Sequence, residues 1–267
     1  MLEIHYILTF LLLGAFVGLM SGLLGIGGGG IMVPSLTTIF LLQGIPVDNV
    51  VHLALGTTMA CMIVTCYASF VAHNAAGAVV WKVVKNMSVG IILGTFLATF
   101  LAAQLKSIYL AIFFAVFMAF VSAQMFLNKK PKPTRVLASK AGLFAAGSGI
   151  GAISALVSIG GGSLTVPYLT WQNVDIKKAI GTSAAIGVPI SIAGTLGYMI
   201  NGWGHASLAP LTFGFIYLPA VLLISIPSYF TAPYGAKLAH KLPIPILKKI
   251  FAVLLIILSL KMLSSVI

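Results

Sequence analysis

Eight predominantly apolar runs occupy most of this chain, at residues 6–24, 50–72, 87–105, 108–127, 141–157, 180–200, 210–228 and 246–262. Each is long enough as a helix to cross, or nearly cross, a hydrocarbon core of about 30 Å. The runs are continuously apolar rather than alternating, so they predict helices and not the strands of a barrel, because a spanning segment must satisfy its own backbone hydrogen bonds. With 60% hydrophobic and 7% charged residues the chain cannot build a water-facing surface. The expected fold class is an all-α polytopic membrane protein.

The formal net charge of +12 does not form a nucleic-acid face, because the basic residues sit in short loops between the apolar runs. The first run is expected to be retained and not cleaved as a signal peptide, since residues 1–6 hold no Lys or Arg and include Glu3. Cys61 and Cys66, five residues apart in one run, point in different directions on a helix and are expected to pack as thiols.

The chain repeats itself. Residues 21–34, SGLLGIGGGGIMVP, are echoed at 154–167, SALVSIGGGSLTVP. The triplet Gly56-Thr57-Thr58 is echoed by Gly181-Thr182-Ser183, and Asn74 to Gly77 by Asn201-Gly202. We therefore read a first repeat at 1–128, a basic Pro-containing linker at 129–138 and a second repeat at 139–267.

Loop charge predicts how the repeats are oriented. Lys82 and Lys85, the linker with Lys140, Lys177 and Lys178, and the stretch from Lys237 to Lys249 hold thirteen of the fifteen basic residues. They all fall on the cytoplasmic face only if each glycine block turns a hairpin back to the side it entered from. Segments 31–42 and 164–171, about 18 and 12 Å long as helices, are too short to span alone. Each half then reads as a broken, re-entrant-like hairpin plus three transmembrane helices. That odd count makes the halves inverted repeats with both termini extracytoplasmic.

Glycine runs inside a bilayer expose backbone that must face protein or a watery cavity. In inverted-repeat transporters such breaks aim half-helix N-termini at an anion. The candidate substrate-binding residues are Gly27, Gly28, Gly29 and Gly30 with Gly160, Gly161, Gly162 and Ser163. Thr57, Thr58, Thr182 and Ser183 offer neutral hydroxyl donors, although helix packing explains them as well. Asn74 and Asn201 rank lower, being as good as turn residues. Isolated glycines such as Gly14, Gly90 and Gly94 read as close helix packing.

No Asp or Glu falls inside a span; Glu3, Asp48 and Asp175 lie at span ends, which favours an anionic substrate over a carboxylate cation relay. The GxGxxG of Gly25 to Gly30 follows an apolar helix instead of a strand, so a dinucleotide cofactor is not expected. The five histidines lack metal-ligand spacing, and no metal or other cofactor is predicted; His73 is the one that could sense protons. Ser21, Ser148 and Ser163 have no His partner the sequence would pair with them, so an intramembrane enzyme is disfavoured. A membrane assembly or insertion factor without transport activity is the alternative function.

The duplicated blocks Gly25 to Pro34 and Ser158 to Pro167, each followed by a Gly-Thr-Thr or Gly-Thr-Ser triplet, resemble the sulfite exporter TauE/SafE family of membrane permeases over essentially the whole chain. The second block departs in having Ser158 for Gly25 and Ser163 for Gly30. The resemblance implies secondary transport of a small sulfur-containing anion, such as sulfite, thiosulfate or an organosulfonate, across a bacterial cytoplasmic (inner) membrane. Its partners would be that anion and the lipid bilayer; proton or ion coupling and oligomeric state stay open.

Overall fold

The computed structural model describes residues 3–25, 27–127, 136–203, 210–239 and 244–267. The linker core at 128–135, His205 and His240 lie outside the described residues. Among the described residues ten helices and one small hairpin follow in order: α1 (Ile4–Leu24), α2 (Gly29–Leu42), α3 (Val47–Ala75), α4 (Trp81–Gln104), α5 (Ser107–Leu127), α6 (Lys140–Val157), α7 (Gly162–Trp171), α8 (Ile176–Asn201), β1 (Thr212–Phe213), β2 (Ile216–Tyr217), α9 (Leu218–Ala239) and α10 (Ile244–Val266). Seven described helices are long and apolar enough to cross a membrane, and the protein is a multi-pass membrane protein. Leu12, Leu97, Val116 and Ile257 stand exposed on the outer helices, as a lipid-facing surface requires.

Both glycine blocks interrupt helices, α1 from α2 and α6 from α7. The short arms begin at Gly29 and Gly162, two residues before the segments 31–42 and 164–171 marked out by the sequence. The long arms, α1 and α6, have 21 and 18 residues. At 21 residues α1 spans about 31 Å and lies alongside the full-length α9. It is α2 and α7, with 14 and 10 residues, that are cut short.

Close glycine contacts fix which way each helix runs. Positions Gly14, Gly18 and Gly22 of α1 lie against Ile224, Ser228 and Ala232 of α9, so these two helices are parallel. In α6, Gly147 and Gly151 meet Met87 and Ile91 of α4, again in parallel. At the centre, Gly187 and Gly194 of α8 meet Cys66 and Met59 of α3 in reverse order, so α3 and α8 are antiparallel. Bonds from Tyr217 to Thr57 and between Thr65 and Ser228 place α9 parallel to α3; Val80 to Thr182 and Asn201 to Thr99 do the same for α4 and α8.

These directions sort the helices into two sets, α1, α3 and α9 one way and α4, α6 and α8 the other. If α1 is matched to α6, α3 to α8 and α4 to α9 by the sequence echoes, every helix runs antiparallel to its counterpart. The main packing pairs exchange in the same way: α1 on α9 becomes α6 on α4, and α3 on α9 becomes α8 on α4. The long antiparallel pair α3–α8 is the axis of the molecule. Its most apolar stretches are 83% and 72% buried, against 33% for α5, because the other elements wrap around them.

Candidate functional site

The two breaks meet. Gly25 ends α1 in a left-handed conformation (φ +68°), its N–H donating to Ser21 O at 2.7 Å, and Gly27 and Gly28 continue with φ +73° and +78°. Three such residues in four are open only to glycine at low cost. In the second half Ser158 takes the place of Gly25 at φ +45°, and its hydroxyl donates to Leu55 O at 2.9 Å on α3. That bond from side chain to α3 offsets part of the strain a non-glycine residue meets there.

A side chain added at Gly27 would sit 3.1 Å from the Cα of Gly160, its counterpart in the other half. One added at Gly29 would overlap the carbonyl oxygen of Ser158 and lie 3.2 Å from the Cα of Ile159. Backbone therefore packs on backbone at the point where the hairpins touch. Gly27 to Gly30 and Gly160 to Ser163 are all buried in this conformation. The first two residues of each short helix, Gly29 and Gly30 or Gly162 and Ser163, have no acceptor four residues back within their helix. Ile31 and Met32 N–H bond Gly28 O, and Leu164 and Thr165 N–H bond Gly161 O. Pro34 and Pro167, in matching places inside α2 and α7, lack the N–H that would reach the carbonyls of Gly30 and Ser163 four residues back.

The two sides of the junction differ chemically. Around the first break stand Met62 Cε and Cys66 Sγ at 2.9 and 3.1 Å from a Cβ on Gly27, with Met118 and Leu255 beside Gly30. Around the second, Thr165 Oγ1 lies 3.0 Å from a Cβ on Gly161. Thr165 and Thr58 are fully buried, and their hydroxyls have no hydrogen-bond partner among the described residues. Sequence reading missed Thr165 because its counterpart is Met32, so the repeat carries no hydroxyl signal there. Cys61 and Cys66 are free, buried thiols, as their spacing led us to expect.

The triplets divide. Thr57 Oγ1 accepts from Tyr217 N–H at 3.0 Å, and Thr182 Oγ1 accepts from Val80 N–H at 2.9 Å. The preceding glycines lie against Phe215 O and Ala78 O, two residues earlier on the same strands of backbone. Each Gly-Thr pair is thus a dock for the peptide that leads into α9 or α4. Ser183 donates to Ile180 O at 2.7 Å and faces Gly25 O at 3.3 Å, bracing the first break. Asn74 and Asn201 do not join the glycines. Asn74 is exposed about 24 Å along α3 from Thr58, and Asn201, about 27 Å along α8 from Ser183, donates to Gly197 O and Thr99 Oγ1.

A result follows from the docks. Thr57→Val and Thr182→Val each leave a backbone N–H without its acceptor, a loss of about 1–3 kcal/mol. Both are expected to lower the thermal midpoint in detergent by similar amounts, with Thr57→Ser and Thr182→Ser close to wild type.

The sequence profile described as sulfite exporter TauE/SafE matches residues 10–262. The chain belongs to the sulfite exporter TauE/SafE family. Curated relatives of this permease agree: it is 36% identical over 258 residues to a probable membrane transporter protein of Haemophilus influenzae, covering 96% of this chain and 98% of that one. A probable membrane transporter protein of Methanocaldococcus jannaschii is 26% identical, covering 90% of each chain. A third, from Bacillus subtilis, is 24% identical over 87% of this chain and 90% of its own. No solved structure matches the chain. The protein is a membrane transporter, and family and relatives place it outside the enzymes.

Proposed function

We propose that this permease carries a small sulfur-containing anion, of the sulfite, thiosulfate or organosulfonate class, by alternating access around the two glycine breaks. The observation that carries the reading is the meeting of two equivalent short-helix N-termini, α2 and α7, at one buried point between the halves. Amide hydrogens and positive dipole ends favour an anion there. Gly27 to Gly30 and Gly160 to Ser163 supply the backbone, and Thr58 and Thr165 supply hydroxyls. The antiparallel running of counterpart helices supports inverted repeats at 1–128 and 139–267, with linker 129–138 on the cytoplasmic side of the inner membrane and both termini outside. Occlusion of the junction here corresponds to a closed step of the cycle, and one half moving against the other opens it.

Reconstitution in liposomes tests this. Uptake of sulfite, thiosulfate and sulfoacetate is expected to exceed that of chloride under imposed pH or voltage gradients. Gly28→Leu and Gly161→Leu, checked as folded by size exclusion, are expected to lose at least tenfold in rate. Normal transport by folded forms of both would refute the site. Cysteines introduced at positions 132 and 177 are expected to be labelled from the same face; labelling from opposite faces would refute the topology.

A further inference from the structure

Toward their C-terminal ends α3 and α9 leave between them an open groove of about 570 Å³. That volume falls within the roughly 300–1,000 Å³ of small-ligand sites. The two helices run parallel and are joined by the 3.0 Å hydrogen bond between the Thr65 and Ser228 hydroxyls. Tyr67 and Phe230, each two residues beyond that bond, stand exposed at the inner end of the groove. Lys237, nine residues beyond Ser228, stands exposed at the outer end. Ala68, Ala72 and Ala236 form the floor, and their small side chains leave the space between the walls. The Lys237 ammonium lies 5.9 Å from the centre of the Tyr234 ring, a cation–π contact that holds the charge at the mouth.

One end of the groove is therefore apolar and the other cationic. Among the described residues that line it none is acidic, and Lys237 is the one cation. Helix C-termini carry negative partial charge, but the last carbonyls of α3 are occupied: those of Ala72, His73 and Asn74 accept from the N–H groups of Ala76, Ala78 and Gly77. Phe230 and Lys237 are seven residues apart, about 10 Å along α9. Cys61 is the middle residue of α3. With Cys61 at the centre of the bilayer, Tyr67 lies about 9 Å out, inside a half-core of about 15 Å. Asn74, nine residues beyond Thr65 and so level with Lys237, lies about 20 Å out, in the headgroup layer.

We propose that this groove binds one anionic phospholipid, its phosphate paired with the Lys237 ammonium and an acyl chain laid on the alanine floor toward Tyr67 and Phe230. A headgroup of net negative charge suits the site better than a zwitterionic one, whose own cation meets Lys237 unfavourably. Tyr234, three residues before Lys237, brings a hydroxyl donor to the same end of the groove. Because α3 belongs to the first half and α9 to the second, the lipid bridges the halves. Its leaflet, the cytoplasmic one, rests on the topology proposed above; the binding itself rests neither on that topology nor on the identity of the transported anion.

The test uses delipidated protein in neutral detergent, titrated with dioctanoyl phosphatidylglycerol or dioctanoyl phosphatidylcholine. Bound lipid is counted by native mass spectrometry, and the thermal midpoint is recorded alongside. Phosphatidylglycerol is expected to bind more tightly and to raise the midpoint further. Lys237→Gln is expected to weaken phosphatidylglycerol binding about fivefold while phosphatidylcholine binding stays unchanged, and Lys237→Arg to keep both. Ala72→Leu, which fills the floor without touching a charge, should weaken both lipids. Lys85→Gln, which removes a cation outside the groove, should alter neither. Equal binding of the two lipids by the parent protein, or equal losses in Lys85→Gln and Lys237→Gln, overturns the proposal. A dimer in the same spectra that Ala72→Leu splits would assign the groove to a second copy and overturn it too. No transported anion is present, so failure of sulfur-anion uptake with selective lipid binding would discard the substrate and keep the lipid site.

Discussion

Replacing Gly29 by alanine is expected to give little or no monodisperse protein, and what is recovered should melt well below wild type. A methyl group at this position overlaps the carbonyl oxygen of Ser158, and the Cα of Ile159 stands just behind it. Both are backbone, held between α6 and α7, so no rotamer change can make room. Overpacking that forces backbone shifts costs roughly 1–3 kcal/mol and occasionally more; this position belongs at or above the top of that range. Gly149→Ala is the matched control. It lies in α6 with open space where a Cβ would go, and alanine is the better helix former by about 1 kcal/mol. It should express at least as well as wild type. Equal thermal midpoints for the two variants, measured by size-exclusion thermostability, would show that the hairpins do not touch as described.

The second large effect is expected at Gly18→Leu. Gly14, Gly18 and Gly22 form a stripe at four-residue spacing that lets α1 and α9 approach backbone to backbone, Gly18 lying against Ser228 and Thr231. Leucine would push the helices apart along the whole stripe. Because α1 belongs to the first half and α9 to the second, this loosens the joint between halves. The counterpart joint is α4 on α6, where Gly94 lies against Ser148. Gly94→Leu should therefore cost a similar amount, several degrees in midpoint for each, while Gly18→Ala should fall in between. A stable Gly18→Leu protein would mean that this packing contributes little.

The small-residue reading of Gly14, Gly90 and Gly94 needed only their setting in apolar runs, and the structure places all three against helix backbone. The breaks were equally legible, because runs of four and three glycines with a proline close behind have few uses within a helix. Less legible was the depth of the hairpins. The apolar length of residues 6–24 was visible, but not that α1 would lie along α9 as a full-length neighbour.

Within the site, residue type misled where partners were remote. Thr57 and Thr182 look like free donors in sequence, yet both hydroxyls accept from peptides more than a hundred residues away. Asn74 and Asn201 ranked below the triplets, and helix rise carries them to the far ends of α3 and α8. Thr165 gave no signal, since repetition points only to positions shared by both halves.

Local chemistry in the chain determined a helical membrane protein, and where its helices must break at the two glycine blocks. Apolar length and the conformational freedom of glycine act over a few residues and can be read there. Only tertiary structure decided that the breaks would meet and that Gly-Thr pairs would hold the entries to α4 and α9. Those outcomes depend on which distant backbones come within hydrogen-bonding or van der Waals reach, and no local pattern carries that distance.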